Sequence, residues 1–263
     1  MIRIIPRLDV KGSNLIKGVH LEGLRVLGRV EDFAKRYNGE GADAIFYVDS
    51  VASLYGRTFN ADVINAVAKQ LLIPLTVEGG IRTINDVCAV LRCGADKVAL
   101  NTSVVQNPNL IKEISGEFGT QCVVLSIVAR SLGFGRYECM THNGREPTGL
   151  DVFEWARREV DLGAGEVLIT SVDQEGTGRG YDLELVSKLA DMVGVSVVAS
   201  GGAGNKEHVA KVIMEGKANA ACVASMFHYA CSDKKWGLVQ TTNVLDLKLY
   251  LVKQGLNCRM ALE

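Results

Sequence analysis

Asp9 ends an apolar run in RLDVKG, with Lys11 and Lys17 following closely in the chain. Burying a carboxylate costs several kcal/mol unless it is solvated, paired or chemically employed. Asp9 therefore reads either as the ion-pair partner of a nearby lysine or as a general acid or base tuned by its neighbours. Asp49 and Asp173 also end apolar runs, and each reads equally well as a cap on the following turn. Asp173 lies in SVDQEGTGRGYD, whose glycines describe a mobile or phosphate-closing loop. Four more tips are glycine-rich or small and polar: Glu78-Gly79-Gly80, Asn101-Thr102-Ser103, Ser200-Gly201-Gly202 and Ala224-Ser225. Glycine lets backbone N–H groups approach an anion, and a following helix N-terminus adds partial positive charge. Tight turns would explain a lone Gly-Gly. Its recurrence with hydroxyl or amide tips on the next run points to two phosphate cups, and so to a substrate phosphorylated at both ends.

These tips must be positioned by something, and an internal repeat says what. Residues 73–105 align with residues 195–227 at a constant offset of 122, and 41–53 align with 163–175 at the same offset. The first strands, 4–10 and 123–129, pair at an offset of 119, which places the difference in loop length. Each half alternates short apolar strands with helices, the pattern of parallel strands and helical crossovers. Helices are expected near 31–40, 60–70, 83–92, 107–118, 151–162, 182–192, 205–215 and 243–253. Two such halves, about 1–120 and 121–263, close into one α/β domain, a (β/α)₈ TIM barrel. An open, doubly wound sheet would leave two edges to protect. In such barrels chemistry sits at the C-terminal strand ends, where the tips above lie.

Composition removes whole classes. A net charge of −1 offers no basic field for a nucleic-acid backbone. No stretch of about 20 apolar residues reads as a membrane span, and the N-terminus has no signal-peptide pattern. The seven cysteines form no CxxC pair, which fits free thiols in a reducing compartment and a cytoplasmic location. The four histidines show no HxH or HxxxH spacing, so no metal and no cofactor are expected.

Taken together, RLDVKG, VEGGI, GADKVALNT, GAGEVLITSVDQEGTGRGYD and ASGGAG closely resemble the HisF family, the cyclase subunits of imidazole glycerol phosphate synthase. The resemblance covers nearly the whole chain. It implies an enzyme that takes ammonia from a separate glutaminase partner to cleave and cyclise a bisphosphorylated ribulosyl aminoimidazole-carboxamide in histidine biosynthesis. By resemblance Asp9 is a catalytic acid or base. Phosphate contacts fall to Gly80, Asn101 and Thr102 at one end, and to Gly176, Gly202, Ala224 and Ser225 at the other. Arg3, Lys97 and Glu166 match a charged ring at the ammonia entrance, where Ala44 replaces a fourth, acidic member.

The likeness breaks at one functional position. The family's second catalytic Asp, on the fifth barrel strand, corresponds to Val128, which can neither give nor take a proton. Glu78 replaces the first of three glycines and Glu175 replaces an Asp. Glu78 is either a substitute carboxylate reaching across the mouth or a group that repels phosphate. Val128, Ala44 and Glu78 thus keep open a second reading, a HisF-like protein that docks a glutaminase and passes ammonia to an amidotransferase acting on a surface-polysaccharide sugar. Lys17 and Asp173 are further candidates for the site. A sugar-phosphate isomerase of the sister family is disfavoured, since it too needs an acid where Val128 stands.

Overall fold

The computed structural model describes residues 1–234 and 237–260. Its strands are β1 (Arg3–Lys11), β2 (Asn14–Val19), β3 (Glu22–Arg29), β4 (Ile45–Asp49), β5 (Leu75–Glu78), β6 (Lys97–Leu100), β7 (Val123–Gly133), β8 (Arg136–Thr141), β9 (Glu146–Asp151), β10 (Glu166–Ser171), β11 (Ser196–Ser200) and β12 (Ala220–Val223). The helices are α1 (Val30–Gly39), α2 (Ala61–Ala68), α3 (Ile84–Arg92), α4 (Thr102–Gln106), α5 (Leu110–Phe118), α6 (Val152–Asp161), α7 (Leu183–Met192), α8 (Lys206–Met214), α9 (Ser225–His228) and α10 (Val244–Lys253). Eight parallel strands follow the order β10-β11-β12-β1-β4-β5-β6-β7, and β7 pairs in turn with β10. The ring is closed and helices cover its outside, as in a (β/α)₈ barrel.

Helix boundaries follow local signals. Asn60, Asp151, Asp182, Asn205 and Asn243 cap their helices through the side chain, and Thr83 with Asp86 forms a capping box at α3. Two short helices, α4 and α9, stand at equivalent tips of the two halves, where the sequence suggests only small polar strand ends.

Four strands lie outside the barrel. β2 and β3 form an antiparallel hairpin continuing from β1, and β8 and β9 do the same from β7. Both halves thus carry a hairpin extension at the same place. The first turns at His20 and Leu21, both in the left-handed region (φ 50° and 64°), which matches the right-handed twist of the flanking strands. Its tip is tied down where the His20 N–H donates to the Glu175 carbonyl at 2.8 Å.

Inward-facing residues alternate along each barrel strand and stack in layers. On β1 these are Arg3, Ile5, Arg7 and Asp9. A middle layer including Ile5, Phe46, Val124, Leu168, Val198 and Cys222 is apolar. A larger apolar shell lies between the strands and the outer helices.

The C-terminal helix is fastened to the barrel by a buried charge. Lys248 on α10 is 1% exposed and donates to Asp43 Oδ1 at 2.7 Å, to the Gly41 carbonyl at 2.6 Å and to the Arg259 carbonyl at 2.8 Å. Asp43 in turn accepts the Ile4 N–H at 2.7 Å, joining α10 to β1. Lys248→Met leaves Asp43 a buried charge whose remaining cation, Arg259, is half exposed. It should lower unfolding stability by about 3–5 kcal/mol, read from urea denaturation; a loss below about 1 kcal/mol would show that the lysine is not the fastening.

Candidate active site

The centre of the C-terminal mouth is a chain of buried charges. Arg7 Nε donates to Asp9 Oδ1 at 2.9 Å, Lys17 Nζ donates to Asp9 Oδ2 at 3.3 Å, and Lys17 also donates to Glu175. All four residues are buried. The period-two geometry of β1 places Arg7 and Asp9 on one face, and β2 returns antiparallel to deliver Lys17 beside them. Burial alone would push the Asp9 carboxyl up, yet Arg7 and then Lys17 bring it down to about 2. Asp9 is therefore ionised at any physiological pH. Of the alternatives posed by its sequence, the ion-pair partner is what the geometry shows: both oxygens are paired, and Asp9 sits below the cleft linings rather than among them.

Arg7 reaches across the barrel. Its Nη1 donates to Thr170 Oγ1 at 2.9 Å and to Ser200 Oγ at 3.2 Å. From the other half, Ser126 Oγ donates to Glu78 Oε2 at 3.0 Å. These contacts are related by the internal repeat, since Ser126 is the counterpart of Arg7 and Ser200 of Glu78. Four polar residues from alternate barrel strands thus occupy the layer above the apolar one. Burial pushes the Glu78 carboxyl up, and Arg7 and the Ser126 hydroxyl oppose this only in part.

Two clefts flank that layer, and Arg7 lines both. The larger, about 400 Å³, is also lined by Glu78, Gly80, Asn101, Thr102, Val128 and His142. The smaller is lined by Glu175, Gly176, Ser200, Gly202, Ala224 and Ser225. Every glycine, amide and hydroxyl position assigned to the two cups in the sequence therefore lies in one or other cleft. Ser225 also borders a recess of about 320 Å³ under the β2–β3 hairpin, with Lys17 and Arg25.

Close backbone packing explains the cup glycines in part. A Cβ on Gly80 would stand 2.4 Å from the Phe59 nitrogen, and one on Gly202 would stand 2.0 Å from the Gly180 carbonyl oxygen. Asn101 is committed through its amide N–H groups to the carbonyls of Ser126 (3.0 Å) and Met140 (3.2 Å), while Thr102 Oγ1 accepts the His142 N–H at 3.1 Å. These two side chains brace the β8–β9 hairpin against the cleft.

Asp173 stands apart from the clefts, whereas Asp49 and Val128 line the larger one but are held by local contacts. Asp173 lines neither cleft; its Oδ2 accepts the Ser131 N–H at 2.8 Å and anchors the strand that leads into the second hairpin. Asp49 caps the next turn by accepting the Val51 and Ala52 N–H groups, both at 3.1 Å. Val128 packs with Leu21, Met140 and Val172, so the position of a missing carboxyl is an apolar patch that seats the two hairpins.

At the opposite end of the barrel, Glu166 receives Lys97 Nζ at 2.8 Å and is paired with Arg3, which also donates to Ser196 Oγ at 2.7 Å. Burial opposes the charge on Glu166, but Arg3 and Lys97 hold it below the usual carboxylate range. Ala44 belongs to the apolar layer.

The histidine biosynthesis protein family matches residues 3–232. The chain belongs to that family. It is 55% identical over 206 residues to the imidazole glycerol phosphate synthase subunit HisF of Legionella pneumophila, a match covering 78% of this chain and 97% of that protein. The chain is thus a HisF homologue, and the buried charges described above are this homologue's version of the family's barrel mouth.

Arg7 was not singled out in the sequence, although the i, i+2 spacing of RLD already put it on the face of Asp9. Nor was His228, which supports Arg7 from behind. The Arg7 carbonyl can only accept, so His228 Nε2–H donates to it at 2.9 Å, and Nδ1 accepts from the Tyr37 hydroxyl at 2.7 Å. Burial, reinforced by Lys17, drops the His228 value from 6.5 to about 3. The unfolded chain takes up this proton near its ordinary value and the folded chain does not until about pH 3. Stability contributed by neutral His228 is therefore complete above about 6.5 and is lost as pH falls toward 3. Urea denaturation between about pH 7 and 5 should show a falling stability in the wild type and a flatter one in His228→Gln. Equal slopes would remove His228 as the cause.

Proposed function

We propose that this chain acts as the ammonia-dependent cyclase subunit of an imidazole glycerol phosphate synthase, cleaving and cyclising a bisphosphorylated ribulosyl aminoimidazole-carboxamide. The observation that carries the reading is that one residue, Arg7, lines both anion-suited clefts, so that they form one site with a charged centre rather than two separate pockets. A substrate with a phosphate at each end spans such a site and sets its middle over Arg7, Asp9 and Glu78. The first-turn amides of α4 and α9 stand at the two tips, where phosphate is electrostatically favoured. Asp9, kept ionised by Arg7 and Lys17, accepts a proton during the reaction.

Ammonia enters from a glutaminase subunit docked over the Arg3, Lys97 and Glu166 end. The HisF relative is described as a synthase subunit, which supports such a partner for this chain. The apolar middle layer favours passage of a neutral molecule over an ion. Val128 is the feature in tension with a two-carboxylate mechanism; the 55% identity to a HisF protein weighs for the cyclase over an ammonia conduit.

Purified protein given ammonium salt and the bisphosphorylated substrate should form imidazole glycerol phosphate and the aminoimidazole ribonucleotide, followed chromatographically. Asp9→Asn should reduce this by about 10²- to 10⁴-fold. Intact glutaminase binding without any turnover by the wild type would overturn the cyclase reading in favour of the conduit.

A further inference from the structure

We propose that Glu78 is the proton-donating catalytic residue of this site, taking the second acid–base role from the third barrel strand while the fifth strand carries Val128. This rests on the cyclase reading and deepens it. Glu78 lines the larger cleft from the end of β5 and reaches to Ser126 on β7, two residues before Val128 and on the same face of that strand. Its carboxyl therefore stands at the strand from which a carboxylate is missing.

Charge balance assigns its state. Two cations, Arg7 and Lys17, face three carboxyls, Asp9, Glu175 and Glu78. Asp9 and Glu175 are ion-paired, whereas Glu78 has no ion pair among the described residues and holds only the Ser126 hydrogen bond. A neutral Glu78 leaves the centre uncharged overall; an ionised one adds an unpaired anion near Asp9. The groups that face it are Arg7 and Asp9 from β1 and the Ser126 hydroxyl from β7. Asp49, Arg82 and His142 line the same cleft. Burial pushes Glu78 up while Arg7 and Lys17 hold Asp9 down, and carboxyls driven apart in this way take opposite roles, one acid and one base.

The step is ordinary carbonyl chemistry. Ammonia adds through nitrogen to the ketose carbonyl, whose oxygen takes the Glu78 proton to give a carbinolamine; Asp9 receives a proton from the nitrogen. A proton, relayed from Asp9 through the bound substrate, departs with the hydroxyl as water as the C–O bond breaks. Loss of a nitrogen proton to the Glu78 carboxylate then restores the acid and leaves the imine. Ketone and ammonia become imine and water, and neither carboxyl is consumed.

The test is turnover with ammonium salt, with rates expressed per free ammonia. In the wild type the rate should fall as pH rises through the Glu78 titration. Glu78→Gln keeps the shape and an acceptor for Ser126, and should lose about 10²-fold or more and with it that alkaline limb. The limb should persist in His142→Asn. Carbon-13 carboxyl spectra, with Glu78 assigned by its absence in Glu78→Gln, should show titration above the ordinary glutamate value of about 4.3. Turnover by Glu78→Gln equal to that of the wild type, or a Glu78 signal titrating at or below that ordinary value, would overturn the proposal alone. A wild type without turnover overturns the cyclase reading and this proposal with it.

Discussion

The mouth of this barrel depends on one constraint: Asp9 must remain charged although it is buried. A carboxylate removed from water carries a desolvation cost of several kcal/mol, and only a close, well-oriented cation on each oxygen offsets it. Arg7 and Lys17 supply those cations, and each then needs a further acceptor. Arg7 finds Thr170 and Ser200; Lys17 finds Glu175. Satisfying one carboxylate thereby links β1, the first hairpin, β10 and β11. The hairpin that delivers Lys17 is held by its own tip against the Glu175 backbone, so the same loop supplies both the counter-ion and the anchor.

That arrangement changes the meaning of the departures from the family pattern. The departures at Glu78 and Val128 are not unrelated, and Arg7 stands between them, lining the same cleft as both. Arg7 brings a buried positive charge into the layer, and Glu78 is the added acidic group in the same layer. Val128 lies one step nearer the mouth on the fifth barrel strand, where its contacts with Leu21, Met140 and Val172 fill a space shaped by both hairpins. An Asp at 128 would set a further carboxyl against the apolar side chains of that patch.

The barrel was legible because duplication repeats a signal that a single βα unit carries weakly: two halves with the same offset over three strands constrain closure more than any local propensity does. The cup residues were legible for the same reason, and the structure gathers them into two clefts. Asp173 and Asp49 show the limit. Asp49 ends β4, lining the larger cleft while capping the next turn, whereas Asp173 lies two residues beyond the end of β10 and accepts the Ser131 N–H; these roles depend on backbone N–H groups that only the folded loops present. The hairpins stayed hidden because Lys17 and Arg29 interrupt their apolar alternation, and in β3 most residues are exposed or only partly covered. Arg7 was overlooked since an arginine within an apolar strand carries no motif; its meaning comes from Thr170 and Ser200, which lie 163 and 193 residues away in sequence.

The layering of the interior bears finally on where protons come from. Between the Arg3–Glu166–Lys97 group and the Arg7 layer, the barrel interior is lined mostly by apolar side chains such as Ile5, Phe46, Leu168 and Val198, with the Thr76 hydroxyl among them. An ammonium ion crossing that layer would pay its full desolvation cost with no carboxylate alongside, whereas neutral ammonia crosses far more readily. On the cyclase reading the nucleophile thus reaches the carbonyl without a spare proton, and the departing oxygen must draw one from the site. Asp9 cannot provide it first, because two cations keep it ionised. Glu78 stands in the same layer, its carboxyl pushed up by burial, and is the group we assign to meet that deficit.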